Sequence, residues 1–109
     1  MEQLDSKRFR AHLPVAFARD GYSGEARGVV YNLSIEGCKV TSNTRVDLGT
    51  YLSLRLYLPG SPAPVEVRLA AVRWTMEWDF SVTFLHMQSE EIQRLNRYLA
   101  ALETAHAVR

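Results

Sequence analysis

The sequence is short of most residues that specialised chemistry requires. Cys38 is its only cysteine. That excludes an internal disulfide and paired-cysteine metal sites, and it fits a reducing compartment. His12, His86 and His106 are scattered without HxxxH or HExxH spacing, so no metal site is expected. No Walker glycine loop and no GxGxxG is present. Ser34 does not lie at a strand-to-helix junction, so it is not a nucleophile elbow. Glu90 and Glu91 are adjacent on an expected helix, where they diverge instead of pairing across a substrate. The expectation is therefore a protein that is not an enzyme and carries no cofactor. Long apolar runs are also missing. None of signal-peptide length follows Met1, and none approaches the roughly 20 residues needed to span a bilayer. A cytoplasmic location without membrane insertion is expected. The net charge is only +1, which points to neither DNA, RNA nor a lipid surface. Lysine is scarce as well: 11 of the 13 basic residues are Arg. Arginine presents a flat fork that grips phosphate and stacks on rings, although genomic base usage produces the same bias.

What is present is the composition of one globular domain. The chain has 109 residues, 47% hydrophobic and 23% charged, enough for a single core. Residues 1–10 are polar and charged without a clear period, and residues 1–12 read as a flexible basic arm carrying Lys7, Arg8 and Arg10. A barrel is expected over 13–87. Leu13 to Ala18 is the first apolar run, and Asp20-Gly21 with Ser23-Gly24 marks a hairpin loop. Ala26 to Tyr31 and Cys38 to Thr41 are the next two strands. Leu52, Leu54, Leu56 and Leu58 alternate with polar residues, as a half-buried strand does. Val65 to Met76 is a long strand, with Val65, Val67, Leu69 and Ala71 expected on one face. Phe80, Val82 and Phe84 alternate on the last strand. Six short strands at close spacing predict an antiparallel barrel or sandwich.

The period then changes. Ser89 is a suitable helix cap, Glu90 and Glu91 suit the first turn, and Ile92, Leu95, Leu99 and Leu102 share one face. A helix over 89–106 is expected, its stripe packing on the barrel or forming a dimer seam. Monomer and homodimer both remain open.

Between the second and third strands lies Asn32-Leu33-Ser34-Ile35-Glu36-Gly37. Alone it reads as a tight polar turn, since Asn and Ser bond neighbouring backbone and Gly permits close approach. Taken with Lys7-Arg8-Phe9-Arg10 before Leu13-Pro14-Val15, with Val72-Arg73-Trp74, with Phe80 to Phe84, and with Ser89-Glu90-Glu91, the chain resembles the PilZ domain, the bacterial cyclic di-GMP receptor module. Asn32-x-Ser34-x-x-Gly37 matches that family's [D/N]xSxxG pattern. The resemblance covers nearly the whole chain and implies a six-stranded antiparallel β-barrel with a C-terminal α-helix.

It also implies a ligand, cyclic di-GMP, and a set of residues to bind it. Lys7, Arg8 and Arg10 are the cations for phosphate and for the guanine edge. Asn32 and Ser34 offer hydrogen bonds, Gly37 allows backbone to come close to the ligand, and Trp74 offers a stacking surface. The arm moves over the barrel on binding, and an effector protein reads the change. One departure is plain. The family's arm carries RxxxR; with Arg8 in second place the first position is Leu4, and with Arg10 it is Ser6. A ligand-free protein-interaction module on the same barrel is therefore the alternative. A single-stranded nucleic-acid binder is a third reading, disfavoured by the near-zero net charge.

Overall fold

The computed structural model describes residues 7–21 and 24–107. Residues 1–6 of the expected arm, and Ser23 of the expected loop, lie outside them. Six strands and one helix follow in order: β1 (Phe9–Arg19), β2 (Ala26–Leu33), β3 (Gly37–Ser42), β4 (Tyr51–Leu56), β5 (Val65–Met76), β6 (Asp79–His86) and α1 (Ser89–Ala107). The strands close into an antiparallel barrel in the order β1-β2-β3-β6-β5-β4. Closure leaves no open sheet edge, so every strand has a neighbour on both sides.

The alternating residues fill the barrel. Leu13, Val15 and Phe17 from β1, Val30 and Leu33 from β2, Cys38 and Val40 from β3, and Leu52, Leu54 and Leu56 from β4 are all buried there, with Phe80 and Val82 from β6. Phe17 and Phe80 meet edge to face at 5.2 Å between ring centroids, the geometry aromatic quadrupoles prefer.

Three features depart from the sequence expectation. The first strand begins at Phe9, so residues 9–12 belong to the barrel and not to an arm. Phe9 and Arg10 pair with Leu33 and Asn32, and Phe9 packs against the core. Pro14 sits inside β1 at little cost. Its carbonyl accepts the Tyr57 N–H at 3.1 Å, so its nitrogen also faces the β4 side, beyond the last β4 residue, Leu56, where no ladder donor is required. On β5 the core residues are Val65, Val67, Ala70 and Val72, not the expected 65-67-69-71 series. Register breaks on β4–β5 between Leu52 and Leu54 and on β5–β6 between Leu69 and Ala70, and one unpaired residue exchanges the two faces. Finally, the Gln88 carbonyl accepts the Ile92 N–H at 3.0 Å. Gln88 therefore occupies the cap position and Ser89 is the first helical residue.

Helix α1 closes the end of the barrel where β1 begins and β2 ends. Leu95 and Leu99 join the core, with Tyr98 and Leu102 against it. Ile92, expected on the same stripe, stays 37% exposed at its edge. Glu91 ties the helix to β5 by accepting the Glu66 N–H at 2.7 Å. Arg94 bonds Glu91, the Pro64 carbonyl at 3.2 Å and Ser61 Oγ at 2.7 Å, which fixes the β4–β5 loop onto the helix. Among the described residues no helix is long and apolar enough to cross a membrane.

Candidate functional site

The turn between β2 and β3 lies at the helix end of the barrel and is built from its own polar groups. The Ser34 N–H donates to the Gly37 carbonyl at 2.9 Å. Ser34 Oγ accepts the Glu36 N–H at 3.1 Å and lies 3.4 Å from the Gly37 carbonyl, to which it donates. Ser34 is fully buried. Its hydroxyl therefore serves the turn, not an open hydrogen-bonding position at the barrel mouth.

Gly37 is required by packing inside the sheet. A Cβ there would lie 2.1 Å from the Val82 carbonyl oxygen and 3.2 Å from the Val82 carbonyl carbon. The close approach that its missing side chain permits is to the backbone of β6. The Glu36 carbonyl, one residue earlier, accepts the Phe84 N–H at 2.8 Å, which locks the turn to the same strand.

The remaining expected residues fall on the outer face. Arg10 pairs with Asn32, Asn32 with Lys39, Lys39 with Ser81, and Ser81 with Trp74. These five residues form one lateral row across β1, β2, β3, β6 and β5. Two irregularities create it. Tyr31 is an extra residue on β2 against the step from Val40 to Lys39, and Arg73 is an extra residue on β5 against the step from Val82 to Ser81. Simple alternation from buried Val30 and Val72 would aim Asn32 and Trp74 inward. Each bulge flips the face, leaving Leu33 inside and Asn32 and Trp74 outside. The Tyr31 hydroxyl donates to Asp79 Oδ2 at 3.2 Å, which pins the β2 bulge to β6. Burial pushes the Tyr31 hydroxyl above its ordinary pKa, and the hydrogen bond and charge of Asp79 add to that.

Arg8, just ahead of β1, reaches this row. Its Nη1 donates to Asn32 Oδ1 at 2.6 Å. A guanidinium carries five N–H donors, so this bond leaves most of the fork for an anion. The Arg8 charge also acts on Cys38 beneath the row. Burial pushes that thiol up to about 12, and Arg8 opposes the shift. Lys7 takes a different direction, forming an ion pair with Glu103 of α1. Trp74 is 37% exposed, and the Lys39 ammonium sits over its ring, 5.4 Å from the centroid.

The structure thus brings Arg8, Arg10, Asn32 and Trp74 to one face. It uses Ser34 and Gly37 beneath that face as framework and sends Lys7 to the helix. Lys39 and Ser81 were missed by the sequence reading. The alternation of Gly37, Lys39 and Thr41 against buried Cys38 and Val40 was the available signal. A separate cavity of about 320 Å³ opens at the other end of the barrel, lined by Phe17, Arg19, Arg45, Asp47 and Leu52 among others. None of the expected ligand residues reaches it. Among the described residues no cluster of His, Cys, Asp or Glu is placed to hold a metal.

Comparison with known proteins bears on the whole chain. No curated protein matches the sequence. Several solved structures are similar in fold, two of them as follows. The Bacillus subtilis inhibitor of motility, MotI/DgrA, superposes with a TM-score of 0.76 at 19% identity, covering 96% of this chain and 53% of that one. The chain thus spans about half the length of that protein. The PilZ domain of CeSA from a cellulose-synthesizing bacterium superposes with a TM-score of 0.69 at 21% identity, covering 90% of this chain and 99% of that one. The family model of the PilZ domain matches residues 3–101, and with six strands closed in this order and a C-terminal helix over one end, the chain belongs to the PilZ domain family.

Proposed function

We propose that this protein is a cyclic di-GMP receptor and adaptor, a binding module and not an enzyme, acting in the cytoplasm through an effector protein. The observation that carries the reading is the Arg8–Asn32 hydrogen bond at 2.6 Å. It joins the arm residue expected to grip phosphate to the motif residue expected to read the ligand, at one end of a row that ends on Trp74. In this reading Arg8 and Arg10 take the phosphates by charge-assisted bonds. Asn32 orients Arg8 and meets a guanine edge, and Trp74 stacks a guanine, worth about 1–3 kcal/mol.

The switch follows from the arm's present partner. Lys7 and Glu103 are both largely exposed, and such a pair contributes only about 0–1 kcal/mol. A bound dianion competes with it easily. Lys7 then leaves α1 for the ligand, the arm shifts, and the face formed by arm and helix changes for the effector.

Isothermal titration with cyclic di-GMP tests the reading. Binding is expected, and Arg8→Ala should weaken it by about tenfold to a hundredfold, the loss of charged hydrogen bonds worth about 1.5–3 kcal/mol. Asn32→Ala should cost about threefold to tenfold, since one neutral bond is worth about 1 kcal/mol. No heat and no amide shift change at high micromolar ligand would refute the proposal. The missing RxxxR favours a second reading, a ligand-independent interaction module. That reading requires an effector captured equally with and without the nucleotide.

A further inference from the structure

Lys39 is the central member of the outer row, with Asn32 on one side and Ser81 on the other. Trp74 lies one strand beyond Ser81. Adjacent strands are about 4.8 Å apart, so Lys39 and Trp74 stand about two spacings from each other. Lys39 still places its ammonium 5.4 Å from the Trp74 centroid. The residue between them, Ser81, is small and half-buried, so no bulky side chain stands between the lysine and the ring. The opposite neighbour of Lys39 is Asn32, which holds Arg8. The flexible four-carbon stem therefore stands between the ring and the cationic end of the row.

A guanine cannot lie flat on the Trp74 face covered by Lys39 while the ammonium stays there. We propose that Lys39 is a further ligand-binding residue: it leaves the Trp74 ring when the base stacks and carries its charge to a phosphate between Trp74 and Arg8. The inference rests on the cyclic di-GMP reading given above. The exchange is favourable because a cation over an exposed ring is weakly held, whereas an ammonium on a phosphate makes a charge-assisted hydrogen bond. Lys39 thus shields an exposed aromatic ring in the free protein and supplies a cation in the complex. This cation comes from the barrel, where the arm lacks the first arginine of RxxxR.

The test follows Trp74 emission during cyclic di-GMP titration. Trp78→Phe is the common background, because Trp74 and Trp78 are the only tryptophans. Lys39→Met is expected to bind about tenfold more weakly than the background protein, in line with one charged bond lost. The salt dependence of its affinity should be shallower than that of the background protein, because one protein charge facing the dianion is gone. Lys39→Arg should restore both to within about threefold. Equal or tighter binding by Lys39→Met overturns the inference, as does weaker binding with an unchanged salt slope. If Arg8→Ala weakens binding while Lys39→Met does not, only the role of Lys39 fails. If the background protein and the parent both fail to bind, the cyclic di-GMP reading and this inference fall together.

Discussion

Replacing Gly37 by alanine separates a ligand-contact role from a framework role. The added Cβ would stand 2.1 Å from the Val82 carbonyl oxygen, about 1.4 Å short of the roughly 3.5 Å at which non-bonded atoms rest. The obstacle is backbone on the central β3–β6 seam, so no side-chain rotation relieves it. Either β6 must move away or the turn must. Overpacking of this kind costs about 1–3 kcal/mol. Opening the seam also weakens the Phe84 N–H bond to the Glu36 carbonyl and the Ser34 N–H bond to the Gly37 carbonyl, each worth about 1 kcal/mol net. The sum is about 3–5 kcal/mol, a large share of the 5–15 kcal/mol typical of a domain. At about 4–8 °C per kcal/mol for a domain near this size, Gly37→Ala should lower Tm by at least about 10 °C. Circular dichroism on heating, with a matched urea titration, measures it. The urea midpoint should fall with m unchanged. A Tm within about 3 °C of the parent would refute the framework argument. If nucleotide binding were nonetheless lost, Gly37 would have to be assigned to the ligand instead.

Two other expectations follow from the same end of the barrel. Ser34→Ala leaves the Glu36 N–H without the acceptor that Ser34 Oγ provides, and losing one such part-buried hydrogen bond costs about 0.5–1.5 kcal/mol; urea denaturation should show that loss, and an unchanged midpoint would contradict it. The Cys38 thiol is fully buried and pushed up to about 12 from an ordinary value of 9.0. It should resist a thiol reagent in the native protein and react only as the barrel opens. Because the folded value is raised, the neutral thiol's contribution is fully present below pH 9 and is lost as pH rises from there toward about 12. The stability advantage of the parent over Cys38→Ala should shrink through that alkaline window, and a constant difference would refute the assignment.

Much of the barrel could be read from local pattern. β4 is the clearest case, since Leu52, Leu54 and Leu56 alternate strictly and all three are buried. The helix stripe was equally legible at Leu95 and Leu99. The start of β1 was not, because the alternation of Phe9 and Ala11 with Arg10 and His12 is only four residues long and follows a polar, charged segment. Those residues are held by pairing to Asn32 and Leu33, a contact between segments far apart in the chain.

The candidate site divides along the same line. Sequence alone determined the residue types and their order: a basic segment, a polar turn closing on a glycine, and a tryptophan at the end of a long strand. Those follow from side-chain chemistry and local backbone preference, which act over a few residues. Tertiary structure decided which of them meet. Ser34 and Gly37 are spent inside the turn and the β3–β6 seam, Lys7 goes to Glu103, and Arg8 goes to Asn32. The single-residue bulges at Tyr31 and Arg73 turn Asn32 and Trp74 outward, against the alternation of their own strands. A bulge is defined only relative to the partner strand, so neither β2 nor β5 alone announces it. Lys39 became part of the row for the same reason: register across five strands, not spacing along one, places it between Asn32 and Trp74.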